Sequence, residues 1–166
     1  MLCKFCSINK SKIDQILKKF PKRRLELPER YKNIYQEYYK INRNEKYNLL
    51  NRVKFYLERV MHYEAAKIQG ANILELGAGN LNHLNFEKHY INYDIIEPNN
   101  FLYKNSPLLK KVNKVYGDIL EVPINSKYDK IISIAVLEHL TDLPLTLAYI
   151  GLLMKNSSSF YAGIPA

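Results

Sequence analysis

Apolar and polar positions change period along this chain, and the change divides it in two. Up to about residue 70 the apolar residues recur at helical spacing. Ile13, Ile16, Leu17 and Phe20 fit a helix of about three turns over residues 8–20, stopped by Pro21. Residues 30–41 place Tyr31, Tyr35 and Tyr39 four apart, with Ile34, Tyr38 and Ile41 beside them. A tyrosine stripe of this kind predicts a face packed on the domain with its hydroxyls at the wet edge, or a cap over a ligand. Residues 48–68 predict the longest helix: Leu49, Val53, Leu57, Val60, Glu64 and Ile68 trace its core stripe, and Gly70 is placed to cap it. From residue 71 short apolar runs alternate with helical or loop segments, the mark of an α/β layered sheet. The predicted strands are residues 72–76, 91–97, 114–117, 130–134 and 159–164. Only a brief helix fits after Asn80, and a long apolar one fits residues 143–154.

The 166 residues, 47% hydrophobic, suit one domain with a helical preface, residues 1–70 before residues 71–166. No apolar run approaches the roughly 20 residues that span a bilayer, and the polar, basic start lacks a signal-peptide core. Two cysteines are too few for a disulfide framework, so a cytoplasmic protein is expected. Cys3 and Cys6 form half of a zinc-type spacing without a second pair, and His62, His83, His89 and His139 are isolated from one another along the chain. No metal site is expected. Residues 1–70 carry a net charge of +10 and residues 71–166 a net −1. That asymmetry raises an anionic partner such as nucleic acid, but the basic residues are scattered and no nucleic-acid motif accompanies them. A solvated basic face is the simpler account.

The candidate chemistry gathers around Ala71-Asn-Ile-Leu-Glu-Leu-Gly-Ala-Gly-Asn-Leu-Asn82, a strand running into a glycine turn. Gly77 and Gly79 permit a sharp bend and close approach of a ligand to the backbone. Glu75, two residues earlier, does not suit a phosphate cradle; it suits a ligand that presents a cation and hydroxyls. The third glycine of the dinucleotide fingerprint is missing, which argues against a nicotinamide enzyme. Glu97 closes the second strand, 20 residues after Gly77, where a carboxylate can accept from two vicinal ribose hydroxyls. Asp94, inside that strand, is the substitute. Asp118 follows the third strand and can accept from an exocyclic amino group such as that of adenine.

Glu75-Leu-Gly-Ala-Gly79 resembles the first motif of class I S-adenosylmethionine-dependent methyltransferases, of the methyltransferase type 11 kind, and the later motifs follow in order. Glu97 matches the family's ribose-binding acid, and Asp118-Ile119 its acid and apolar residue at the adenine. Tyr128 to Leu140 is similar to its fourth region, with Ala135 near the cofactor edge. The resemblance implies a doubly wound, mostly parallel Rossmann-like sheet with helices on both faces. It implies S-adenosyl-L-methionine bound by Glu75, Gly77, Ala78, Gly79, Glu97, Asp118, Ile119 and Ala135. The expected activity is methyl transfer to a small-molecule or saccharide-like acceptor, with residues 1–70 as lid or substrate wall. His139 and His83 are candidate catalytic residues, although in this family a histidine after the fourth strand often positions a loop. Lys155-Asn-Ser-Ser158 departs from the family's usual Pro-Gly-Gly turn. The family's sheet usually has two further strands, so a chain cut after the fifth strand is expected. The alternatives are a truncated or non-catalytic binding module of the same fold and, with less support, an RNA methyltransferase.

Overall fold

The structure, a computed structural model, describes residues 28–44 and 49–164. The predicted first helix, the basic cluster at residues 22–24 and the Cys3–Cys6 pair lie outside the described residues. The chain divides into two compact units, Met1–Asn42 and Arg43–Ala166. Helix α1, Glu29–Asn44, carries the tyrosine stripe; Tyr31, Ile34 and Tyr38 are exposed on it. Tyr35, Tyr39 and Ile41 have no described side chains.

Helix α2, Leu49–Lys67, falls in the second unit with the sheet. Its face differs from the predicted stripe. Leu57 and Val60 are exposed, whereas His62 and Ala65 are buried and Met61 lies against Gly163. The helix is therefore turned by roughly a quarter-turn from its most apolar stripe. Small Ala65 lets the helix axis approach the sheet, and His62 is accepted because it finds a polar partner there. Gly70 has no left-handed φ to supply a cap. A Cβ on it would lie 2.8 Å from Lys130 Cβ, so close approach to a strand is what demands glycine.

Among the described residues, five strands form one parallel sheet in the order β3-β2-β1-β4-β5. They are β1 (Asn72–Leu76), β2 (Asn92–Ile96), β3 (Lys114–Tyr116), β4 (Tyr128–Ile134) and β5 (Met154–Gly163). The first matches its predicted bounds; β2 and β3 are shorter and β4 starts two residues earlier. β5 starts five residues early, but Lys155–Ser158 face an irregularity in β4, and regular pairing begins at Ser159 opposite Lys130, where the sequence predicts the strand. Asp129 and Lys155 pair at 2.6 Å across that bulge. Helix α3 is a single turn, Asn100–Tyr103, and α4 spans Leu143–Leu153.

Alternation along the central strands makes two cores. Leu74, Leu76, Ile96 and Ile131 pack with Ile150 and Leu153 of α4 on one face. Ile73, Tyr93, Ile95, Ile132 and Ile134 pack with Ala65 of α2 and with Leu81 and Leu84 on the other. The predicted brief helix after Asn80 is a 3-10 turn, Asn82–Asn85, entered through Leu81 at φ 64°, a left-handed conformation that full burial of the leucine stabilises. Among the described residues, no helix is long and apolar enough to cross a membrane.

Candidate cofactor site at the carboxyl ends of the strands

In a sheet of this order the connections leave β1 and β4 in opposite directions, and a crevice opens between their carboxyl ends. The glycine turn occupies one lip of it, with Gly77 at φ 73° and Gly79 at φ 50°. The other lip is the bend after β4, where Ala135 adopts φ 55° and its N–H donates to Gly163 O at 2.7 Å. A Cβ on Gly77 would lie 2.2 Å from Val136 Cγ2. Gly77 is thus demanded by the neighbouring lip as well as by its own dihedrals, a constraint the motif alone does not reveal. Ala78 is buried beside it.

Glu97 is 6% exposed and joins the glycine turn to the end of β2. Its Oε2 accepts from Gly79 N at 2.9 Å and its Oε1 from Asn99 N at 2.9 Å. Each carboxylate oxygen has a second lone-pair direction, so ribose hydroxyls can still be accepted. Asp94 lies on the opposite face of the sheet, where Tyr128 Oη and Asn113 Nδ2 donate to its two oxygens at 2.7 and 2.8 Å. Between the two acids, the structure places Glu97 at the turn.

Glu75 is buried on the α2 side of the sheet and accepts from Tyr93 Oη at 2.7 Å. Burial pushes its carboxyl up to about 8, with the Glu87 and Glu97 carboxylates adding to the rise and the Tyr93 hydrogen bond and Lys130 opposing it. A cation brought to the glycine turn would favour the ionised form.

Asp118 follows β3 at the same end of the sheet, yet it is exposed, and its Oδ1 accepts from Leu120 N at 2.9 Å as the cap of a 3-10 turn. Ile119, next to it, is buried in the apolar core. The three acids therefore do not converge equally: Glu75 and Glu97 share the buried end of β1 and β2, and Asp118 stands at the open margin.

The two candidate histidines part company. His139 lies in the 3-10 turn after β4 with a side chain 73% exposed, 3.9 Å from Glu138. His83 is fully buried; His62 Nδ1 stands 3.1 Å from its Nδ1, and Glu87 Oε1 2.6 Å from its Nε2. His62 and His83, isolated in sequence, are neighbours in space, and both are buried. The sequence carries no signal of this pairing, because His62 lies off the predicted apolar stripe of its helix. A separate cavity of about 280 Å³ is lined by Ile68 and Gln69 before β1 and by Lys88 and His89 before β2. It lies at the amino ends of the strands, away from the glycine turn.

No protein-family model matches the sequence, and no curated protein does either. Solved structures do resemble the fold. A candidate S-adenosyl-L-methionine-dependent methyltransferase from Methanococcus maripaludis is 16% identical, with a TM-score of 0.53 over 68% of this chain and 59% of that one. Coclaurine N-methyltransferase, bound to N-methylheliamine and S-adenosylhomocysteine, is 20% identical, with a TM-score of 0.52 over 72% and 38%. A chain from the complex of the Haloferax volcanii Trm112 methyltransferase activator with a candidate methyltransferase is 19% identical, with a TM-score of 0.55 over 68% and 56%. This chain thus spans roughly two-fifths to three-fifths of the length of these structures. The parallel sheet, its strand order and these likenesses together show that the chain has the Rossmann-like fold of the class I S-adenosylmethionine-dependent methyltransferases.

Proposed function

We propose that this chain binds S-adenosyl-L-methionine across the β1–β4 crevice and serves in methyl transfer to a small-molecule or saccharide-like acceptor. The observation that carries the proposal is the Glu97 clasp, a buried carboxylate held by the amides of Gly79 and Asn99 directly beside the glycine turn. Glu97 would accept from the ribose hydroxyls, Asp118 from the adenine amino group, and Ile119 would supply an apolar contact. Glu75 would answer the positive charge of the cofactor from below the turn. The donors and acceptors thus fit a nucleoside that carries a cation. The structural relative bound to S-adenosylhomocysteine supports this choice of ligand. Assignment to the type 11 kind belongs to the same proposal.

When bound, the cofactor supplies an electrophilic methyl group, and the chain's task is to hold it in line with a nucleophile and keep water out. The Ala135–Val136 bend closes one side of the crevice. A base is needed only for a nucleophile that is protonated at working pH. Full burial of His83 behind Glu87 removes it from contact with an acceptor, which leaves His139 as the exposed imidazole at that end of the sheet. Residues 1–70 would form the lid or substrate wall.

Calorimetric titration with S-adenosylmethionine and S-adenosylhomocysteine tests the proposal, and absence of heat with both would reject it. Gly79→Asp is expected to abolish that heat while the protein stays folded. Aspartate tolerates the left-handed conformation, but its carboxylate would stand beside Glu97. The burial of His83 also favours a second reading, a binding module of this fold without turnover. Heat of binding with no methyl transfer to any acceptor in a broad screen would select that reading.

A further inference from the structure

Besides Glu75, the α2 side of the sheet holds a row of buried polar groups to which the proposed cofactor site assigns no part. His62 of α2 stacks on His83, with ring centroids 5.2 Å apart, and on Phe86 at the same separation. The Nδ1 atoms of the two imidazoles are 3.1 Å apart, so one must donate and the other accept. Beyond His83, Glu87 Oε1 lies 2.6 Å from Nε2 and also accepts from the fully buried Lys130 Nζ of β4. Beyond His62, Glu58 Oε1 lies 3.8 Å from Nε2, one helical turn back on α2. That Nε2 is buried and makes no hydrogen bond. Glu75 of β1 faces Lys130, and Tyr90 faces Glu87.

These contacts order the protons. Burial would raise Glu87, but the hydrogen bonds from His83 and Lys130 outweigh it and hold the carboxyl below its ordinary value. An ionised Glu87 requires His83 to carry its proton on Nε2. Burial keeps His83 below the ordinary imidazole value, against the pull of Glu87, so its Nδ1 is a bare acceptor at neutral pH. His62 must then carry a proton on Nδ1 and donate. A proton on His62 Nε2 would turn that buried acceptor into a donor aimed at Glu58. A second proton, on His83 Nδ1, sets N–H against N–H and breaks the junction.

We propose that His62 and His83 are positioning residues, a proton-sharing pair that holds the turn after Gly77–Asn80 against α2 and opens when both rings are protonated. The pairing stands on this geometry alone; only its effect on ligand affinity rests on the proposed cofactor site. Nitrogen-15 NMR of the full chain at pH 8 is expected to show His83 as the Nε2–H tautomer and His62 as the Nδ1–H tautomer. Amide hydrogen exchange at residues 82–85, corrected for its intrinsic pH dependence, is expected to rise at least ~10-fold as the second proton binds. In His62→Asn the side-chain amide can donate to or accept from His83, so the rise should shrink to less than ~3-fold. A wild-type exchange profile in that variant, or a proton on His83 Nδ1 at pH 8, would overturn the proposal. If His62→Asn fails to fold, the wild-type tautomers decide: a His62 without a proton on Nδ1 at pH 8 refutes the pair. Titration with S-adenosylhomocysteine is a separate arm. Exchange that follows the pair with no heat from the ligand would uphold the pair and reject the cofactor site.

Discussion

Replacing Glu75 by glutamine makes a sharp test of how this sheet carries its buried acid. The carboxyl is raised from 4.5 to about 8, chiefly by burial, so the folded protein holds a proton there that the unfolded chain releases above pH 4.5. Between those values the native state binds more protons than the unfolded state, and stability therefore falls as pH rises. Each pH unit across the window costs about 1.4 kcal/mol, which accumulates to about 5 kcal/mol at pH 8 and above. Glutamine keeps an acceptor for Tyr93 Oη, still at hydrogen-bond reach, and cannot ionise. Glu75→Gln should therefore match the wild type near pH 4.5 and be more stable by several kcal/mol at pH 9. Urea unfolding at pH 5, 7 and 9, with equal slopes for the two proteins, reads the difference. A stability difference that stays flat from pH 5 to 9 would refute the reasoning, because the acid would then be ionised in the fold at no cost. The same acid links binding to protons. If a cationic cofactor draws Glu75 into its ionised form, titration below pH 8 releases a proton, detectable as heats that vary with the buffer's ionisation enthalpy.

Gly77→Ala should destabilise the fold by about 2–5 kcal/mol, from a left-handed residue and a Cβ driven into Val136; thermal denaturation measures it, and Val136→Ala in the same chain should recover part of the loss. Glu97→Ala should weaken S-adenosylmethionine by about 1.5–3 kcal/mol for each charged hydrogen bond lost, read by calorimetry; wild-type affinity would take the ribose role away from Glu97. Glu87→Gln deprives the fully buried Lys130 of its counter-charge and should cost about 3–5 kcal/mol at pH 7. A urea midpoint unchanged in Glu87→Gln would show that Lys130 is neutral in the fold.

Local chemistry was enough to draw the strands and the glycine turn. An apolar run as short as Asn-Ile-Leu-Glu-Leu, bounded by glycine, favours a buried strand over a helix, and β1 lies on its predicted residues. The turn that follows and the acid closing β2 were legible too, because Gly77, Gly79, Glu97 and Pro98 are each restrictive about backbone or position. What the sequence could not determine are matters of pairing across distance. The stripe on α2 names Leu57 and Val60, but the buried face is the one bearing His62 and Ala65, since closeness of approach to the sheet outweighs apolarity. Gly70 suggests a cap and instead makes room for Lys130; Gly77 serves Val136 as well as its own bend. Glu75, Glu97 and Asp118 look equivalent at three strand ends, whereas burial, the Gly79 amide and an open margin give them three different states. His62 and His83 meet across 21 residues, and α2, residues 83–87 and β4 together complete the polar row with Glu87 and Lys130. Backbone propensity and hydrophobic period act within a few residues, so they settle elements. Which polar groups share a desolvated space depends on how those elements close over one another, and that is decided only in the folded chain.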